Sequence, residues 1–73
     1  MALIFQVEIS CDNDAFEPRW AGEQPMMAAS DEVARILRDL SKQINIYGGL
    51  PANPLPLYDI NGNKVGVAAF KKE

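Results

Sequence analysis

The sequence contains no histidine and a single cysteine, Cys11, among 73 residues. The missing histidine removes the usual general base, the usual activator of a nucleophile and the commonest metal ligand. One cysteine allows neither an intrachain disulfide nor a Cys/His zinc site within one chain. Glycine-rich phosphate loops, dinucleotide fingerprints and the G-x-S-x-G elbow are absent as well. A small enzyme or metal protein is therefore the reading with least support. Long apolar runs are also missing. The longest uncharged apolar run is Met1 to Phe5, far short of a membrane span. The start, MALIFQVEIS, has no basic region and meets Glu8 early, which argues against a signal peptide. The expected location is cytoplasmic, and no cofactor is expected.

Apolar residues make up 48% of the chain, an ordinary share for a folded protein. A chain this short buries only about 60% of its unfolded surface, so one thin core and one domain over residues 1–73 are expected. The net charge is −3, unevenly spread. Residues 1–32 hold seven acids and only Arg19 as a base, a net −6; residues 33–73 hold six bases and three acids, a net +3. The acidic half argues against contact with DNA or an anionic membrane. The basic half lacks a dense Lys/Arg cluster with interleaved aromatics, so direct nucleic-acid binding is not expected.

The one sustained helical period lies in Ser30 to Ile46. Val33, Ile36, Leu37, Leu40 and Ile44 recur at steps of three and four, one stripe of a helix. Ser30 is the expected N-cap, with Asp31 and Glu32 in the first turn. Asp31–Arg35 and Arg35–Asp39 have the spacing of i,i+4 ion pairs, and Gly48-Gly49 marks the stop. Leu3 to Ile9 alternates as a half-buried strand. Residues 15–29 are broken by Pro18, Gly22 and Pro25 and show no period; a short helix opening at Pro25 is compatible with proline at a first helical position. Leu50 to Pro56 holds three prolines and reads as an irregular connection. Asn61-Gly62 between two strand-like runs predicts a type I′ hairpin pairing Ile60 with Asn63, Asp59 with Lys64 and Tyr58 with Val65.

These elements make an α+β domain of order β-α-β-β. A right-handed crossover returns the second strand parallel to the first, and the third slots between them, giving a three-stranded antiparallel sheet of order 1-3-2 with the helix on one face. The alternative has the first strand central. The helix-facing set is expected to be Leu3, Phe5, Val7, Ile9, Tyr58, Ile60, Val65 and Val67. The other face, with Ile4, Leu57, Ala68 and Phe70, is apolar enough to be covered by residues 15–29, a second copy or a partner.

Asp12, Asp14 and Glu23 fall where calcium-loop acids would. However, Glu17 stands where the loop needs glycine and Phe16 where it needs an oxygen ligand, so a solvated turn is the plainer reading. Cys11 beside Asp12 and Asp14 lacks the positive surroundings of a reactive thiol. Trp20 is either a local core plug or a binding anchor. Asp12, Asp14, Phe16, Glu17, Trp20 and Glu23 together form the candidate partner-binding set, on the premise that an acidic surface with large aromatics meets another protein.

Four stretches, F-x-V-x-I (Phe5 to Ile9), D-N-x-A-F (Asp12 to Phe16), E-V-A-R-I-L (Glu32 to Leu37) and D-I-N-G-N-x-V-G (Asp59 to Gly66), resemble in their order those of small uncharacterised proteins encoded in phages and prophages. The chain departs from that pattern at Asp14, where a small residue is usual, and in longer stretches at 17–29 and 45–56. The resemblance implies a phage context and a β-α-β-β fold, and carries no catalytic residues. By analogy of context alone it points to a protein that binds and disables a host factor, such as an inhibitor of a host defence system of the anti-CRISPR kind. The alternative is a homodimeric structural or virion-associated module.

Overall fold

The computed structural model describes residues 2–73; Met1 lies outside them. Strand β1 is Leu3–Ile9, helix α1 Pro25–Tyr47, β2 Leu55–Tyr58 and β3 Lys64–Lys72. A single 3-10 turn, Asp14–Phe16, follows β1. The sheet has order β1-β3-β2 with both pairings antiparallel, and the helix packs on one face. The least polar strand takes the centre, where both its edges pair.

The helix begins five residues earlier than Ser30. Gln24 is the N-cap in extended conformation, and Pro25 takes the first helical position, where its missing N–H costs nothing. Ser30 lies inside the helix and its hydroxyl donates to the Met26 carbonyl at 2.7 Å. Met26, Met27, Ala28 and Ala29 are competent helix formers, and the buried Ala28 adds packing that the cap signal at Ser30 does not reveal. Gly48, at φ 68°, ends the helix; its N–H and that of Gly49 both donate to the Ile44 carbonyl. The buried stripe is Ala28, Glu32, Ile36 and Leu40, at strict steps of four. Val33 and Ile44 pack against its margin, whereas Leu37 is exposed.

The second strand differs from expectation by one residue, which turns every side chain over. Leu55 and Leu57 are buried and Tyr58 and Ile60 are exposed. Their partners Ala68 and Gly66 therefore share the helix side with Val7 and Ile9. From Leu57 to Tyr58, β2 takes one step while β3 takes two, from Gly66 to Lys64. Val65 is the additional residue, and this bulge lets it join the core beside Ala68.

The hairpin turn is not type I′. That turn needs positive φ at both central residues, and Gly62 has φ 86° while no residue other than glycine has positive φ among the described residues. Ile60, Asn61 and Gly62 instead form a three-residue loop. It is closed by Asp59 N–H to the Asn63 carbonyl at 2.9 Å and Gly62 N–H to the Asp59 carbonyl at 3.1 Å.

The core comprises Phe16, Ile36, Leu40, Leu55, Leu57, Val65 and Ala68. Phe16 comes from the 3-10 turn, so residues 14–16 lie on the helix side of the sheet. They do not cover the opposite face. That face carries Ile4, Gln6, Val67 and Ala69 half-buried, and Tyr58 exposed.

Candidate functional site

Two polar side chains sit inside the core rim and organise everything around them. Asp59 is buried at the start of the hairpin loop. Its carboxylate accepts the backbone N–H of Asn61 at 2.9 Å and of Asn63 at 2.8 Å, and the side-chain amides of Asn63 at 3.3 Å and Asn13 at 2.7 Å. Burial pushes this carboxyl up, but the donors from Asn63, Asn13 and Asn61 outweigh it and hold it below the usual carboxylate range. Glu32, on the buried stripe of α1, is gripped at both oxygens by Arg35, at 2.8 and 2.9 Å, and accepts the Ile60 N–H at 2.8 Å. The Arg35 hydrogen bond lowers its pKa most, burial opposes, and the Ile60 N–H adds to the lowering. Arg35 in turn donates to the Tyr58 carbonyl at 3.2 Å. The shifted groups thus all serve to tie helix, hairpin and first loop together. Arg35 pairs with Glu32 rather than with Asp31 or Asp39, as the i,i+4 spacing had suggested; Asp31 is taken by Arg19 at 2.7 Å.

A cleft of about 510 Å³ opens above this network, bordered by Asp14, Arg19, Asp31, Arg35, Arg38 and Asn61. Arg19 pairs there with Asp31, and Arg35 with Glu32.

The candidate partner-binding residues separate into two groups. Phe16 is 3% exposed and belongs to the core rather than to the surface. The Glu23 side chain is 4% exposed; it accepts the Arg19 N–H at 2.7 Å and lies 3.5 Å from the Arg19 guanidinium, bracing the loop. Asp12, Asp14, Glu17 and Trp20 are exposed. Asp12 accepts from Ser10 at 2.9 Å, an ordinary strand-end turn. The acids do not converge on a metal position: among the described residues no group of three metal-ligating side chains forms.

Trp20 stands out. It is 61% exposed, with the Arg19 guanidinium over its ring at 5.5 Å from the centroid. The same guanidinium reaches Asp31 on α1, and Asp31 borders a shallow apolar groove with Gln24, Met26, Met27 and Ser30. Met26 and Met27 are 81% and 63% exposed. Arg19 thereby links the tryptophan to the methionine-lined first turns of the helix, with Asp14 and Glu17 in the turn just before it.

Sequence reading missed Glu32, Asp59 and the two methionines as surface. An acid on an apolar helical stripe at 28-32-36-40 was the available signal for Glu32. No family model, curated protein or solved structure matches the chain. Among the described residues, no helix is long and apolar enough to cross a membrane.

Proposed function

We propose that this chain is a non-enzymatic binding module whose docking surface is Trp20, Met26 and Met27 with an acidic rim of Asp14 and Glu17. The observation that carries the reading is the exposure of three large apolar side chains on one loop-and-helix corner, tied by the Arg19–Asp31 pair. Tryptophan anchors interfaces because it removes much apolar area from water with few rotamers to freeze. Methionine adapts to irregular partner surfaces. The acidic rim suits a basic protein partner and repels nucleic acid and anionic membrane.

With the resemblance to phage-encoded proteins, the reading narrows to a phage accessory protein that disables a host defence factor, acting in the bacterial cytoplasm. Expression of the chain in a bacterium with an active CRISPR defence, followed by phage challenge, tests this. Restored plaque formation supports it; unchanged protection, repeated across defence types, rejects it. The second reading, a homodimeric structural or virion-associated module, is favoured by the open edge of β1. Recovery of the chain in purified virions supports that alternative.

A further inference from the structure

The two edges of this sheet are treated differently. On the β2 side the strand is four residues long, preceded by Pro54 and containing Pro56. Where β2 ends, Asn53 continues its role: its side chain accepts the Phe70 N–H at 2.9 Å and donates to the Phe70 carbonyl at 3.2 Å. That edge is short, proline-blocked and covered, as protected edges are.

The β1 side has none of these devices. β1 is seven residues long, without lysine or proline, and its register with β3 is unbroken from Leu3 to Ile9. Ser10 N–H donates to the Val65 carbonyl and Glu73 N–H to the Ala2 carbonyl. These bonds fix which residues face inward: even-numbered β1 residues turn their N–H and C=O toward β3, by the alternation of an antiparallel ladder. Leu3, Phe5, Val7 and Ile9 therefore present theirs to the outside. Leu3 is 65% and Phe5 40% exposed, and Phe5 packs on Phe70 with ring centroids 4.8 Å apart and planes tilted by 45°; Phe70 is itself 40% exposed. Among the described residues nothing pairs with this edge, and apolar surface adjoins it.

We infer that the β1 edge is a self-pairing surface, occupied by β1 of a second copy of this chain. The strand is self-complementary about Gln6. Antiparallel pairing there faces Leu3 with Ile9 and Phe5 with Val7 of the other copy, and the inverse. It is the one register in which all seven residues find partners. The facing residues are the outward-bonding ones, so each of the four pairs exchanges two backbone hydrogen bonds. Ile4 faces Glu8 and Gln6 faces Gln6, which keeps the two glutamates apart. Lys71 lies beside Ile4 on β3, so the second copy's Glu8 comes within two strand spacings of it, about 10 Å, a span the two side chains close between them. The product is a two-fold symmetric, six-stranded sheet with a helix from each copy on the same face.

Sedimentation and hydrogen exchange of the full chain decide the matter. At high micromolar concentration the expected species has twice the 8.1 kDa chain mass. The amides of Phe5, Val7 and Ile9 should exchange slowly there and faster on dilution, while those of Gln6 and Glu8 stay protected throughout. Phe5→Lys, checked for an unchanged circular dichroism spectrum, should return the monomer. A monomer at that concentration, with protection alternating residue by residue along β1, overturns the inference. So does a dimer in which the Phe5 and Val7 amides stay fast, since it uses another surface.

Discussion

Asn13 and Asp59, 46 positions apart in sequence, are joined by a 2.7 Å hydrogen bond from the asparagine amide to the aspartate carboxylate. The bond clamps the loop after β1 to the hairpin between β2 and β3. Asp59 uses its remaining acceptor positions on Asn61 and Asn63. Replacing Asp59 by alanine removes four part-buried hydrogen bonds to one carboxylate at once, and bonds to a charged group contribute more than neutral ones. Asp59→Ala should lower the melting temperature clearly, and Asn13→Ala less. Equal, negligible shifts in thermal melts would show that the clamp contributes nothing.

Acid should act on the same network. Glu32 and Asp59 both have folded-state pKa values held below their ordinary 4.5 and 3.8. In the folded chain each stays ionised to lower pH than in the unfolded chain, so their stabilisation is complete above the unfolded values. It is lost as pH falls through the folded ones. Melting temperature should be flat from neutrality to about pH 5 and fall below about pH 4.5. In Glu32→Gln the fall should be shallower and the neutral value lower. A wild-type melting temperature unchanged in strong acid would contradict the assignment.

Phe16 and Trp20 should behave oppositely despite lying four residues apart. Phe16→Ala empties a core position and should cost about 3–5 kcal/mol, much of the stability of a domain this small. Trp20→Ala removes an exposed ring and one cation–π contact and should cost under about 1 kcal/mol. Urea melts of the two variants beside wild type read this directly. A large loss at Trp20 would move it from surface to core.

Gly66 faces Ile9 across the β1–β3 ladder, and a Cβ there would overlap the Glu8 carbonyl oxygen and sit 2.9 Å from its carbon. Backbone cannot swing aside as a side-chain tip can. Gly66→Ala should therefore part β1 from β3 at this point and lower the melting temperature more than Gly62→Ala, where the added atom meets open space and only the φ of 86° is strained. Similar losses in both would show that the strands adjust freely.

Much of the fold was legible from the chain alone: strand order, the helix on one face, and the inward alternation of Val7 and Ile9. Parity in β2 was not, because it turns on where the strand starts. The prolines at 54 and 56 suggested a connection, whereas Leu55 and Pro56 already belong to an edge strand that tolerates proline. A two-residue turn at Asn61-Gly62 carries the slip into β3, where the bulge at Val65 masks it. The helix start was obscured because Ser30 has strong cap chemistry and the buried Ala28 has no periodic signature of its own. For the candidate site, Trp20 was legible as a large aromatic outside the helical and strand periods. Phe16 carried the same signal and is core; only its place in the 3-10 turn under α1 separates the two.

The central claim is that the Trp20–Met26–Met27 corner binds a protein. The most direct measurement is capture from bacterial host lysate with immobilised wild-type chain beside a Trp20→Ala, Met27→Ala double variant of wild-type melting temperature. The account predicts one host protein retained in stoichiometric amount by wild type and lost from the variant. Equal retention by both, or none by either, would contradict it.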